Sequence, residues 1–292
     1  MSVAIIANPA AGRGRGRRVA HLVEDMLKDK AVDFELLYTT SHRHGIELAQ
    51  RASEKHEVVA ALGGDGTIGE VLEGIYQSKS TLGVIPGGTG NDYARGLGLP
   101  RNPKEALDVV LGGVPTPIDL GIETDKVFGV LASIGFPVTV LEHTNANRDG
   151  FWKGPMAILA SVAHTLKHLQ SYPVKITLDD QVLEREVLGI MVMNMPFGGG
   201  GMKFAPEARY DDGYFTVVVV DSVSKWELAK TLPKLYKGGH VNHPAVTMFK
   251  ARNLKFECEP LPKMFDGDIC SSTPFAAHIK PKAAKVMLAK KP

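Results

Sequence analysis

The residues best suited to do chemistry are Gly63, Gly64, Asp65, Gly66 and Thr67. They follow the apolar run Val58 to Leu62 and precede the amphipathic run Ile68-Gly69-Glu70-Val71-Leu72. That order reads as strand, tight loop, helix. Three glycines let backbone approach a ligand closely and take angles that a Cβ forbids. Thr67 offers a hydroxyl and a helix cap. The unpaired N–H groups of a first helical turn attract anions. Asp65 would repel a phosphate unless a cation lay between them, so the loop suggests a nucleotide with Mg²⁺. An ordinary glycine-rich turn is the plainer alternative.

Further stretches carry polar groups at turn-like spacing. Pro86-Gly87-Gly88-Thr89-Gly90-Asn91-Asp92 is a second glycine loop after an apolar run, with Arg95 on the next turn. Gly198 to Gly201 are four consecutive glycines, poor strand material, and Asp211-Asp212-Gly213 follows before a valine-rich run. That tripeptide suits a hairpin turn, the commoner outcome, and also a hard cation. Asp266-Gly267-Asp268 puts two carboxylates around a glycine, able to hold a metal or take a proton; from spacing alone a solvated turn is the commoner outcome. Arg13, Arg15, Arg17 and Arg18 cluster after Asn8-Pro9-Ala10-Ala11-Gly12, which favours a phosphate-binding first turn over a merely solvated helix start. A G-x-G-x-x-G frame fails there, landing on Arg17 from Gly12 and on Val19 from Gly14. His42, His44 and His56 have no metal-ligand spacing and are expected at the surface.

These turns need elements to hold them. Val3–Ala7, 33–40, Val58–Leu62 and 82–85 read as strands, with helices over 14–30, 44–55, 68–75 and 103–111. Strand-helix alternation implies a parallel sheet with right-handed crossovers, whose ligands bind beyond the carboxyl ends of the strands. The turns at Asn8, Thr40, Gly63 and Pro86 should therefore meet at one edge. After Gly112-Gly113-Val114-Pro115-Thr116-Pro117 the pattern changes to strands over 118–120, 127–134, 174–178, 182–193, 214–220, 247–249 and 254–258. Only 155–169 and 225–235 look helical. A mostly antiparallel sandwich follows, and 285–288 is a last strand with a path back to the first domain. The expected domains are 1–117, 118–282 and the returning strand 283–292.

Composition narrows the classes. The 292 residues are 44% hydrophobic and 23% charged, with a net charge of +2. That is ordinary for a globular protein and too weak a field to imply nucleic acid. Two cysteines make no disulfide framework. No signal peptide and no run of about 20 apolar residues is present, so a membrane-borne substrate would be met at the surface, from the cytoplasm.

Taken together, Asn8-Pro9-x-x-Gly12, Gly63-Gly64-Asp65-Gly66-Thr67 with Glu70, Pro86 to Arg95, the glycine run, Ala205-Pro206-x-Ala208 and Asp212-Gly213 resemble the bacterial soluble lipid kinases of the diacylglycerol kinase catalytic-domain superfamily, which includes sphingosine and ceramide kinases. The resemblance covers nearly the whole chain. It implies a phosphofructokinase- or NAD kinase-like α/β domain, a C-terminal β-sandwich, and ATP in the cleft between them. By position, Asn8, Pro9, Ala10, Ala11, Gly12, Thr40, Gly63, Gly64, Asp65, Gly66, Thr67, Glu70, Thr89, Asn91 and Asp92 would line the nucleotide. A structural Mg²⁺ would take Asp212 with the carbonyls of Arg209 and Tyr214. The family's general base is the Glu of Asp-Gly-Glu; here Asp268 stands in that place, one methylene shorter, with Asp266 and Asp65 as further catalytic candidates. The expected partner is a lipid hydroxyl at the inner membrane face, diacylglycerol-like, reached by peripheral contact, with a homodimer as the assembly to test. Phe151, Trp152, Met156, Ile158 and Leu159 are candidates for an apolar lipid entry, although helical spacing makes them core residues more often. Lys153 beside Trp152 would suit an anionic headgroup. Two rivals remain: a kinase of a soluble acceptor such as NAD, and a non-catalytic nucleotide- or lipid-binding regulator.

Overall fold

The computed structural model describes residues 2–147 and 155–290, and the chain divides into two compact units. Unit 1 holds residues 1–120 with 281–292, and unit 2 holds 121–280. Phe151, Trp152 and Lys153 lie outside the described residues.

Unit 1 runs β1 (Val3–Ala7), α1 (Ala11–Asp29), β2 (Phe34–Tyr38), α2 (His44–Ser53), β3 (Val58–Gly63), α3 (Asp65–Ile75), β4 (Thr81–Pro86), α4 (Asp92–Gly96), α5 (Pro103–Gly112) and the start of β5 (Val114–Glu123). The strands lie in the order β2-β1-β3-β4 and every pairing is parallel. β1, β3 and β4 are buried along their whole length, as continuous apolar runs require when helices cover both faces, while β2 is half-buried at the edge. The core joins Val3, Ile5, Val58, Ala60, Leu62 and Ile85 to Val19, Val23 and Leu27 of α1 and Leu107 and Val110 of α5. Regular α1 geometry begins only after Gly12, Arg13 and Gly14, which all have positive φ.

Unit 2 continues through β6 (Lys126–Phe128), β7 (Leu131–Gly135), α6 (Phe136–Ala146), α7 (Pro155–Thr165), β8 (Tyr172–Leu178), β9 (Gln181–Met193), β10 (Phe215–Asp221), α8 (Lys225–Thr231), β11 (Val246–Ala251), β12 (Asn253–Glu257), β13 (Pro262–Phe265), β14 (Asp268–Ser272) and β15 (Phe275–Leu288). The pairings among β7 to β14 are antiparallel. β9 pairs with β8 through its first half, then runs between β7 and β10. The strands close as a β-sandwich around Phe128, Ile176, Val192, Phe215, Phe256, Phe265 and Phe275. β15 serves both units: 275–278 pair with β12, and Val286 pairs in parallel with Leu82 of β4.

Several elements depart from the sequence pattern. The single strand expected over 127–134 is two, because the amides of Gly129, Val130 and Leu131 donate to Asp266 rather than to a ladder. α6 was not expected, since Val138, Thr139 and Val140 are β-branched; packing against α7 overrides that preference. β13 and β14 read as loop because Pro260, Pro262 and Gly267 mask their pairing. The helix expected to reach Leu235 stops at Thr231 and tightens to a 3-10 turn over 232–237 at Pro233.

Candidate active site

Parallel strands bring their carboxyl ends to one edge, and β1 is where the order reverses: β2 lies on one side of it and β3 on the other. Crevices at such reversals bind ligands in open α/β sheets. Asn8 leaves β1 there and Thr67 sits in the first turn of α3, and the Asn8 Nδ2 donates to the Thr67 hydroxyl across 3.2 Å. Asn8 Oδ1 accepts from the Ala10 amide at 3.0 Å, folding the Asn8-Pro9-Ala10 turn back on itself.

The two glycine loops are locked together. Gly87 and Gly88 both donate their amides to the Gly63 carbonyl, at 2.7 and 3.1 Å. A Cβ on Gly88 would sit 2.4 Å from the Gly64 Cα, so that crossing admits glycine alone. Gly12 has φ +55°, and its Cβ would lie 2.5 Å from the Gly87 carbonyl oxygen. Asn91, at φ 53°, accepts from the Gly88 amide and donates to the Gly88 carbonyl, both at 3.0 Å, closing the second loop. Asp65 Oδ1 accepts from the Tyr93 amide at 3.0 Å, tying α3 to α4. Asp92 is buried 3.9 Å from Arg95, whereas Thr89 and Gly66 are exposed. A Cβ on Gly66 would meet nothing within 4 Å, so the N-terminus of α3 is open.

Glu70 does not turn its carboxylate to the glycine loop. Its two oxygens accept from the Arg43 and Gly45 amides, each at 2.9 Å, and so cap the N-terminus of α2. His44 is only half exposed: its Nδ1 accepts from the Thr40 amide at 3.1 Å and lies 3.0 Å from the Thr40 hydroxyl. It therefore holds the turn after β2, a role the sequence signalled only through its place four residues beyond Thr40. His56 is likewise not a surface residue; it is 12% exposed and 3.0 Å from Glu35. His42 is exposed as expected.

In unit 2, Phe265 and Asp268 pair across a two-residue turn of Asp266 (φ 47°) and Gly267 (φ 95°). Positive φ at both positions is the type I′ hairpin that Asp-Gly favours. Asp266 Oδ1 accepts from the Val130 and Leu131 amides and Oδ2 from Gly129, at 2.7 to 2.9 Å. Asp268, half-buried, opens β14 beside that brace. Asp212 Oδ1 accepts from the Tyr214 amide at 3.0 Å while Oδ2 meets the Lys250 ammonium at 2.7 Å; Arg209 pairs with Asp211. Among the described residues no three His, Cys, Asp or Glu side chains cluster as a metal site. Asp212 is an oxygen donor of the kind that suits Mg²⁺, but both its oxygens are engaged, so a cation there would have to displace the Lys250 ammonium.

Residues 2–122 match the diacylglycerol kinase catalytic domain family, and residues 131–288 match the YegS C-terminal NAD kinase beta sandwich-like domain. A diacylglycerol kinase of Mycobacterium tuberculosis is 31% identical over 98% of this chain and 94% of its own. One from Staphylococcus carnosus is 31% identical over 92% and 89%. A solved Bacillus anthracis protein, proposed to be a diacylglycerol kinase, superposes with a TM-score of 0.84 at 27% identity, over 98% of this chain and 94% of that one.

Proposed function

The chain belongs to the diacylglycerol kinase family and is an ATP-dependent lipid kinase, and on that premise we propose that it phosphorylates a diacylglycerol hydroxyl with Asp268 as the general base. The observation that carries this reading is the pair of glycine turns locked together after β3 and β4, next to the order reversal at β1, with the N-terminus of α3 open beside them. Phosphoryl transfer depends mostly on positioning and on neutralising charge, and such a cradle of amides supplies both.

In this reading the phosphates of ATP lie against Gly64 to Thr67 and the turn from Asn8 to Gly12. The lipid oxygen forms its bond to the γ-phosphorus as the bond from that phosphorus to the bridging oxygen breaks, ADP leaves, and the hydroxyl proton passes to the Asp268 carboxylate. Asp266 acts by shape: its three amide contacts fix the hairpin from which Asp268 projects. Asp212 and the carbonyls of Arg209 and Tyr214 would hold Mg²⁺, whose charge supports the local fold and the anionic reactants.

The test is transfer of labelled phosphate from ATP to a panel of lipids in mixed micelles, with NAD as a soluble acceptor alongside. Label should enter diacylglycerol, and Asp268→Asn should lower the rate by about 10²–10⁴-fold, the usual contribution of a general base, with ATP affinity retained. Asp268→Glu should keep transfer. Label in NAD and none in lipid would replace the acceptor, and ATP binding without any turnover would replace the enzyme with a regulator.

A further inference from the structure

Among the described residues the aromatic side chains of Tyr93, Phe128, Phe215, Phe256 and Phe275 are fully covered. Trp226 is 70% exposed and Tyr236 49%. Both belong to one stretch of unit 2, α8 and the 3-10 turn Leu232–Lys237 that follows it. The stretch is held firmly. Ser224 and Glu227 form a capping box at its start. Its inner side buries Thr231 and Leu235. The Leu235 carbonyl accepts from the Lys203 amide at 2.9 Å, and a Cβ on Gly238 would lie 2.8 Å from Pro206. It therefore rests on the segment after the glycine run, with a fixed outer face.

That outer face is basic as well as aromatic. Trp226 and Lys230, four apart, share one side of α8. Residues three apart eclipse in a 3-10 turn, which sets Pro233 over Tyr236 and Lys234 over Lys237, all exposed. Lys225 adds a fourth exposed ammonium. Against these four stands one carboxylate, Glu227, already bonded to the Ser224 amide and hydroxyl. None of the four lysines forms an ion pair with a described carboxylate. The stretch carries +3 in a chain whose whole net charge is +2.

We propose that this face, Trp226 and Tyr236 among Lys225, Lys230, Lys234 and Lys237, docks the protein on an anionic phospholipid bilayer. Tryptophan and tyrosine, apolar with one polar tip, settle at headgroup level. Lysines lay their stems along apolar surface and keep the charge at the lipid phosphates. A second copy of the chain fits less well, because a two-fold interface would set this face against itself and oppose like charges. The proposal rests on the lipid-kinase reading for its purpose, since the acceptor lies in a membrane, but its chemistry stands on the surface alone.

The chain has two tryptophans, so Trp152→Phe leaves Trp226 as the only reporter and Trp226→Phe leaves Trp152. Emission from Trp226 should shift to the blue with vesicles of phosphatidylcholine mixed with phosphatidylglycerol, not with phosphatidylcholine alone, and the shift should fade as salt rises. The triple variant Lys230→Gln, Lys234→Gln, Lys237→Gln should lose vesicle affinity on the order of a hundredfold, about fivefold per lysine. Its phosphate transfer to a short-chain diacylglycerol in monomeric solution should equal that of wild type. Unchanged co-sedimentation of the variant overturns the proposal. So does a shift seen only at Trp152, or a Trp226 shift that follows protein concentration without vesicles, the mark of self-association. If Trp226 enters the bilayer yet no lipid is phosphorylated, docking stands and the kinase reading falls; if lipid is phosphorylated while Trp226 stays in water, the reverse holds.

Discussion

Asp266 commits both carboxylate oxygens to the amides of Gly129, Val130 and Leu131, which donate to it rather than to a neighbouring strand. Asp266→Ala should lower unfolding stability by about 2–4 kcal/mol, since charge-assisted bonds to amides are lost and the donors are left unmatched; urea denaturation measures it. Lys263 and Glu123 meet at 2.6 Å with side chains only 7% and 8% exposed. Lys263→Met should cost about 3–5 kcal/mol by stranding a buried charge, and adding Glu123→Leu should recover most of it. Burial holds the His240 imidazole below its ordinary value, against the opposing hydrogen bond from its Nε2 to the Phe204 carbonyl. Unfolded, the ring binds a proton near pH ~6.5. The stability that the neutral ring contributes is therefore complete above that pH and is lost as the pH falls below it. Melting temperature should drop on acidification through the histidine range, and His240→Asn should flatten the drop.

At the scale of elements, the turn from β1 into α1 is argued best by two glycines with different surroundings. Gly14 has φ +84° and open space where a Cβ would go, whereas Gly12 combines φ +55° with the Gly87 carbonyl 2.5 Å away. Gly14→Ala should cost only the left-handed penalty of about 1–2 kcal/mol, with ATP affinity held. Gly12→Ala must also push the second glycine loop away, so ATP affinity measured by calorimetry should fall at least about tenfold. Equal affinities in the two variants would detach the first turn from the nucleotide. Glu70 belongs to this scale too. The resemblance to lipid kinases set it among the nucleotide-lining residues, and in the structure its carboxylate caps α2.

At the scale of the whole molecule, the chain passes between units at Leu120 and again at Pro281. The second passage is covalently late but structurally central to unit 1: Val286 and Met287 are 0% and 3% exposed in its core, and the Lys282 amide donates to buried Asp119 at 2.8 Å. A chain ending at residue 280 should lose about 3–6 kcal/mol from unit 1, two large apolar side chains' worth of burial. Unit 2 keeps its own strands, so thermal unfolding should separate into two steps, unit 1 first.

What the sequence determined by itself was whatever is local. Continuous apolar runs made β1, β3 and β4, helical periodicity made α1 to α3, and glycine placed the turns, because backbone sterics and the period of burial act over a few residues. The two loops at Gly63 and Pro86 were legible for that reason. The tertiary structure alone decided what joins residues far apart. It split the strand expected over 127–134 by offering its amides a carboxylate more than 130 positions away, formed β13 and β14 around an Asp-Gly turn that looked merely solvated, and made a helix of the β-branched run after Gly135. Such outcomes depend on which partner arrives, and a hydrogen bond or a packed face across the fold leaves no periodic trace in the segment that receives it.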